Sequence, residues 1–504
     1  MQVSDQGLSA EGTADHVVEA PDFTAWIDGW TPAGPEALAR SLVERGLASI
    51  ADWPGDWAVA LKRHGRAGLV VAVDPFGGRV LYTDGTTVAS APEHVTDLRT
   101  RPLDPAGIEA QLTGLLGDPT RTLVRGVTRV PGGFGGTTGE RGVIARIWLP
   151  RPLPVERPAL ELRAAVEGAV RDRVAQHRER PVLALSGGLD SSVLAGVLAG
   201  HGPLGVVSNR FDGWTADEGP YIRAVAERHR LQPVPVDSRT LDPLEVLDRL
   251  APPGFPPVLV NHHLNLALLR AADGPLWTGF GGDEVFGHGL DLVTELARDG
   301  RSLRAAWEAA WLARRYRHAE MSQARALRSW GARWVRAMLP DRAQIRRPDR
   351  PRGAFQRRVE TVTHPLILRS REEQARLAAL VGTPMVMPLL DPRVAAVCLG
   401  IPSRRMVRRG RTRWVVREAF ADVLPPEVHR RPDKSDLSRG LDEPLRSATL
   451  DLRLDLLAPW RSARQIASLR QRFRSGEHGA AADLFRLVGA SRWLEWHTGA
   501  EGIG

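Results

Sequence analysis

Cysteine occurs once in the 504 residues, at Cys398. A single thiol excludes an intramolecular disulfide and any cysteine-rich zinc site, and its setting, VAAVCLG, reads as buried packing. Lysine is almost as scarce: of 68 basic side chains only Lys62 and Lys434 are lysine. Tyrosine is limited to Tyr82, Tyr221 and Tyr316, none of which is expected beside the glycine motifs described below. No apolar run approaches the roughly 18 residues that span a bilayer. The opening segment, MQVSDQGLSAEGTADH, lacks the basic-then-apolar pattern of a secretory signal. A cytoplasmic protein with no membrane partner is therefore expected. With 50 glycines and 38 prolines the chain stays below low-complexity composition, and it shows no tandem repeat.

The composition that remains, 43% hydrophobic and 25% charged, is that of a globular protein, and the length exceeds one ordinary core. The prolines of Leu149–Pro158 (LPRPLPVERP) restrict both helix and strand. They predict a boundary between a domain over 1–150 and a second over 158–504. Ala159 to Gln176 has helical spacing.

Residues 181 to 199, PVLALSGGLDSSVLAGVLA, carry the strongest chemical signal. Val182 to Leu185 reads as a buried strand, Ser186 to Ser192 (SGGLDSS) as a tight turn, and Val193 to Ala199 as a small-residue helix. Gly187 and Gly188 let successive N–H groups aim at an anion, and the helix N-terminus adds partial positive charge. Ser186, Ser191 and Ser192 offer hydroxyls. Asp190, awkward beside phosphate, makes sense holding a cation that phosphate also binds, so ATP with Mg²⁺ fits the mixture. The spacing is not that of a Walker loop and contains no lysine. The competing reading is an ordinary glycine–serine turn.

A second motif, PLWTGFGGDEVFGHG at Pro275–Gly289, again runs from an apolar stretch into glycines and then into Asp283 and Glu284. Two such loops at the ends of neighbouring parallel strands face one cleft. Asp190 and Asp283 are then expected to share one Mg²⁺. Alone, the second loop is no more than a common helix start.

The two motifs in this order resemble the asparagine synthetase superfamily, which includes asparagine synthetases, β-lactam synthetases and lasso peptide macrolactam synthetases. Val206–Ala226 is similar to the family's second strand and the helix opened by an Asp-Glu pair, here Asp217 and Glu218. Met387–Asp391 (MPLLD) resembles its P-F-L-D segment, and Arg413–Phe420 with Leu424-Pro425 its late helix and turn. The resemblance implies an α/β fold: an N-terminal glutaminase-type αββα sandwich, inactive here, and a C-terminal ATP-pyrophosphatase-type parallel sheet flanked by helices. It implies that ATP contacts Leu185, Ser186, Gly187, Gly188, Asp190, Ser191, Ser192, Thr278, Gly279 and Gly281, with Ser208 near the adenosine and Asp190 and Asp283 on Mg²⁺. In Arg430–Ser435 (RRPDKS), Lys434 falls where the family keeps a catalytic lysine. Arginine replaces lysine nearly everywhere else, and a compact ammonium is the better point charge for a developing oxyanion. A leftover surface lysine is the alternative.

Residues 69–90, around Asp74–Arg79 and Leu81-Tyr82, and Val127–Gly133 are similar to the glutaminase-type domain, yet position 2 is Gln2 and the only cysteine is Cys398. A glutaminase of this kind needs an N-terminal cysteine. The amine is therefore expected to arrive with the substrate, which disfavours asparagine synthetase. β-Lactam synthetases carry a proton-transferring tyrosine where this chain has Phe280. The reading that follows is a lasso peptide cyclase: adenylation of an Asp or Glu side chain of a precursor core peptide, then attack by that peptide's N-terminal amine. A leader-binding protein and a leader peptidase are the partners the resemblance implies. A β-lactam synthetase, an ammonia-dependent amidotransferase and a non-catalytic ATP-binding scaffold are the alternatives.

Asp341–Arg358, with seven arginines against two acids, reads as a mobile loop, following a helical, tryptophan-rich stretch over Leu303–Met338. This loop and the net charge of +9 permit nucleic-acid contact. The glycine motifs are not those of the RNA-modifying pyrophosphatases, and no nucleic-acid partner is expected. His262 and His263 precede the second glycine strand, within reach of substrate or as satisfied structural histidines.

Overall fold

The computed structural model describes residues 1–4, 7–8, 14–139, 142–210, 218–237, 242–287, 289, 291–315, 354–431, 445–446, 450–477 and 479–499. The N-terminal part carries eleven of the described strands: β1 (Gln2–Ser4), β2 (Gly7–Leu8), β3 (His16–Ala20), β4 (Phe23–Trp30), β5 (Asp56–Arg63), β6 (Val70–Val73), β7 (Leu81–Thr83), β8 (Thr87–Ala89), β9 (Thr128–Val130), β10 (Phe134–Thr137) and β11 (Ile144–Arg146). They form two antiparallel sheets, ordered β2-β1-β8-β7-β9 and β11-β10-β6-β5-β4-β3.

Strand side chains alternate between faces, and here both faces are apolar. Trp26, Ala58, Ala60, Val71 and Val73 of the larger sheet pack against Val3, Leu81, Val88 and Val130 of the smaller. The opposite face of the larger sheet, Ala25, Ile27, Val59, Leu61 and Ala72, clusters with Leu38, Ala39 and Leu42 of α1 (Pro35–Arg45). Tyr82 and Ala89, on the outer face of the smaller sheet, cluster with Ile108 and Leu112 of α2 (Pro105–Thr113). The layers run helix, sheet, sheet, helix.

Residues 147–157 contain no helix or strand, as their prolines dictate, although the Leu153 N–H donates to Ala396 O at 3.0 Å. Beyond them lie α3 (Pro158–Gln176), β12 (Val182–Ala184), α4 (Leu189–Ala199), β13 (Gly205–Asn209), α5 (Gly219–His229), β14 (Val234–Val236), α6 (His262–Ala271), β15 (Leu276–Trp277), α7 (Gly282–Phe286), α8 (Ser302–Arg315), α9 (Ala354–Val362), α10 (Pro365–Val381), β16 (Met385–Val386), α11 (Pro392–Gly400), α12 (Trp414–Ala419) and α13 (Ala480–Thr498). Strands β12 to β16 form a parallel sheet ordered β14-β13-β12-β15-β16. From β12 the chain builds outward to β14, then returns to place β15 on the other side. That reversal opens a crevice beyond the carboxyl ends of β12 and β15, where open α/β sheets bind ligands.

Two expectations change. Helix α4 begins at Leu189 instead of Val193, because Gly188 O already accepts from Ser192 N at 3.1 Å, so Asp190 stands in the first helical turn. The loop expected over Asp341–Arg358 is helical from Ala354, where Arg358 donates to the carbonyls of Ile401 and Cys398; 341–353 lie outside the described residues. Of the stretch expected to be helical over Leu303–Met338, residues up to Arg315 are described and are helical. Cys398 is fully buried, and burial pushes its thiol up to about 12.

Charged side chains join the two parts. Arg173 of α3 is fully buried and donates to Asp391, the N-cap of α11, at 2.9 Å, with Asp56 of β5 at 3.6 Å; Arg371 of α10 donates to Asp56 at 2.5 Å. Burial disfavours these anions, yet the surrounding guanidinium groups outweigh it and hold Asp56 and Asp391 below ordinary carboxylate values. Replacing Arg173 by Met takes one guanidinium from two buried carboxylates and leaves Asp56 with Arg371 and Asp391 with Arg393. Unfolding free energy should fall, by less than the roughly 3–5 kcal/mol of a fully unpaired buried charge, read as a lower denaturation midpoint.

Asp74 behaves oppositely: burial and the adjacent Asp56 charge push it up to about 7. For the depressed carboxylates the unfolded chain binds more protons, so their stabilisation is present above the unfolded value and is lost as pH falls through the folded one. For Asp74 the folded chain binds more protons, so stability drops as pH rises toward 7. Thermal midpoints measured against pH should peak near about pH 4 to 5 and decline from there toward pH 7.

Candidate active site

The first glycine loop is pinned from behind. At the end of β12, Leu185 N–H donates to Val207 O at 2.9 Å and Leu185 O accepts from the Ser208 hydroxyl. The chain then turns at Gly187, whose φ of 70° lies in the left-handed region, and a Cβ there would stand 2.9 Å from Tyr221 Cβ. Gly188 caps α4, its carbonyl accepting from the hydroxyls of Ser191 at 3.3 Å and Ser192 at 2.7 Å. The second loop leaves β15 through Thr278, whose N–H donates to Val386 O at 3.0 Å, and turns at Gly281, φ 86°.

The two loops abut because glycine occupies the contact. A Cβ on Gly279 would lie 2.8 Å from Ser191 N, and one on Gly282 would lie 2.5 Å from Asp190 Cγ. Asp190 and Asp283 consequently face a common point. That point is held by Nη1 of Arg413, which donates to Asp190 Oδ1 and Oδ2 at 2.9 and 3.0 Å and to Asp283 Oδ1 at 2.8 Å. Carboxylate oxygens converging on one cationic atom suit a hard cation such as Mg²⁺. Among the described residues no three His, Cys, Asp or Glu side chains are grouped to hold a metal by themselves. Two carboxylates with phosphate oxygens and waters make an ordinary Mg²⁺ shell.

The loops open into a cavity of about 390 Å³. Ser186, Gly188, Asp190, Ser191, Thr278, Gly279, Phe280, Gly281 and Asp283 line it, together with Asn261 at the N-cap of α6, His262 of α6, Ser370 and Gln374 of α10, and Arg413, Arg417 and Arg431. Of the residues expected to contact nucleotide, Leu185, Gly187, Ser192 and Ser208 stand behind this wall. Ser192 and Ser208 are buried, with their hydroxyls directed to the carbonyls of Gly188 and Leu185. Lys434 lies outside the described residues.

Three arginines escaped the sequence reading. Besides Arg413, Arg431 donates to Gly187 O at 3.2 Å and to both Glu218 oxygens, one at 2.8 Å, and its guanidinium sits 4.0 Å from the Tyr221 ring centroid. Arg417 donates to the carbonyls of Val428 and His429 at 2.8 and 2.7 Å, fastening the segment that carries Arg431 to α12. In a chain so rich in arginine, no compositional signal separates these from solvent-facing ones. Tyr221 is a correction too: it packs directly behind Gly187, so one of the three tyrosines does border a glycine motif. It backs the loop and does not line the cavity.

His262 lines the cavity at the start of α6 and is buried, its Nε2 2.8 Å from Glu373 Oε2. Glu373 also accepts from Val258 N at 2.8 Å and from Arg369 Nε at 2.8 Å. Burial opposes its charge, but the His262 hydrogen bond and the Arg369 charge hold it below the usual carboxylate range.

Gly282→Ala should push the Asp190 carboxylate off the shared point. Mg²⁺-dependent nucleotide affinity is expected to fall by about tenfold or more in calorimetry, alongside a stability loss of about 1–3 kcal/mol from the overpacked contact.

Residues 161–495 match the asparagine synthase family. The chain is also 28% identical over 432 residues to a carboxyethyl-arginine β-lactam synthase from Streptomyces clavuligerus, an alignment covering 80% of this chain and 68% of that protein.

Proposed function

Because the chain belongs to the asparagine synthase family, we propose that its ATP-dependent amide-bond chemistry closes a macrolactam within one peptide, as a lasso peptide cyclase does. The observation that carries the nucleotide part is the meeting of Asp190 and Asp283 at one point between two glycine loops, at the rim of a cavity large enough for a small-molecule substrate. In this reading the triphosphate lies on Ser186–Ser192 and the first-turn N–H groups of α4, with Thr278, Gly279 and Gly281 on its far side and Ser208 behind the adenosine strand. Asp190 and Asp283 would hold Mg²⁺, which would offset phosphate charge. A peptide Asp or Glu carboxylate attacks the α-phosphorus, pyrophosphate leaves, and the peptide's N-terminal amine displaces AMP from the acyl carbon. Holding both peptide ends in one cavity supplies effective molarities of about 10⁵ M or more. Lys434 is assigned to the negative charge that develops in these steps.

One feature supports an amine tethered to the substrate, and a second favours a macrolactam over a β-lactam. The chain's one thiol, Cys398, is sealed in the core and unavailable to a glutaminase reaction, so the N-terminal sandwich is read as a degenerate glutaminase-type domain. Phe280 lines the cavity where β-lactam synthetases resemble this loop but present a tyrosine hydroxyl. The β-lactam synthase relative favours a second reading, closure of a small lactam. A leader-binding protein and a leader peptidase would deliver the unblocked peptide.

Incubating a linear peptide bearing a free N-terminus and an internal Asp or Glu with the protein, ATP and Mg²⁺ should release pyrophosphate and yield a product lighter by one water in mass spectrometry. Lactam formation only from a β-amino acid substrate would favour the second reading. No pyrophosphate with any substrate would leave a nucleotide-binding scaffold. Lys434→Ala should retain ATP binding and lose product formation by about 10²-fold or more.

A further inference from the structure

Arg413 occupies the position the metal would take. Its guanidinium is nearly buried, with a side-chain exposure of 7%, between Asp190 at 13% and Asp283 at 25%. One nitrogen meets three carboxylate oxygens from two different loops, within 2.8–3.0 Å. The residue holds φ 53° and ψ 38° at the N-cap of α12, a left-handed conformation that disfavours any side chain with a Cβ. A non-glycine residue kept in that region beside a cleft is kept there by its contacts.

The electrostatics explain the arrangement. Two carboxylates converging without a cation between them repel, and the two loops that carry them are brought into contact through glycines. A guanidinium at the convergence point neutralises that repulsion. Mg²⁺, however, takes carboxylate oxygens at about 2.0–2.1 Å and cannot share the point with a nitrogen. For the metal to enter, the three oxygens must close in and Nη1 must withdraw. Withdrawal of a buried guanidinium requires another anionic partner in the same cleft, and a triphosphate on the adjacent loop is one.

Resting on the reading that this cleft takes ATP with Mg²⁺, we propose that Arg413 is a positioning residue that stands in for the metal before nucleotide arrives. It keeps Asp190 and Asp283 converged and makes divalent-cation binding conditional on the nucleotide. The metal then enters with the triphosphate, never ahead of it.

The test uses Mn²⁺ as a paramagnetic probe on the full chain, with protein-bound Mn²⁺ measured by electron paramagnetic resonance of the fraction retained on ultrafiltration, because the nucleotide itself chelates Mn²⁺ in solution. Wild-type protein should leave Mn²⁺ free without nucleotide and bind it when a non-hydrolysable ATP analogue is added. Arg413→Met should bind one Mn²⁺ in the absence of nucleotide, with affinity raised by about tenfold or more over wild type. Adding Asp283→Asn to that variant should remove the binding. Arg413→Gln serves as the second variant, and circular dichroism establishes that each is folded. Nucleotide-free Mn²⁺ binding by wild type as tight as that of the folded variants overturns the proposal, as does a folded pair of variants with no gain. Absence of Mn²⁺ binding by wild type even with the analogue overturns instead the underlying nucleotide reading, and this proposal with it.

Discussion

Two negative charges forced toward one point organise this protein. Asp190 arrives on the first turn of a helix and Asp283 on the next glycine loop, and Gly279 and Gly282 leave no side chain between the loops to hold them apart. Everything around the pair answers that constraint. Arg413 lies between the carboxylates, in a strained backbone conformation, and Arg431 and Glu218 pair against the rear of the first loop. In the site proposed for a divalent cation and a polyanion, each charged group already faces one of opposite sign.

The same logic extends into the scaffold. Tyr82 of the N-terminal sheet donates to Glu372; Glu372 is paired with Arg129 at 2.9 Å and with Arg369 at 2.9 Å; Arg369 bonds Glu373, which in turn holds His262 on the cavity wall. Removing one member of such a buried network leaves an uncompensated charge, a larger loss than the net gain from forming the pair. The N-terminal sandwich therefore anchors one wall of the cleft.

Some of this was legible in the chain. SGGLDSS between an apolar run and a small-residue helix identified the first loop, because glycine-dependent turns and helix N-termini are local features. Pairing it with GFGGDE located a shared cleft, and β12 and β15 are indeed hydrogen-bonded neighbours. The helical end of the arginine-rich stretch and the place of Tyr221 differ from the sequence reading because each depends on contacts with residues far away in sequence, whereas the earlier start of α4 follows from the local bond between Ser192 N–H and Gly188 O. Arg413, Arg417 and Arg431 were invisible for a different reason: 66 arginines look alike until burial distinguishes them.

By itself the sequence determined the local chemistry: where backbone amides can face an anion, which loops need glycine, which carboxylates accompany them, and that one thiol forms neither an internal disulfide nor a cysteine-rich metal site. Tertiary structure alone decided which charges meet. Coulomb interactions and burial depend on distance through space, and Arg413 reaches Asp190 across 223 residues of chain. Until the parallel sheet brings β12 and β15 side by side and α12 folds over their ends, no pattern in the order of residues records that meeting.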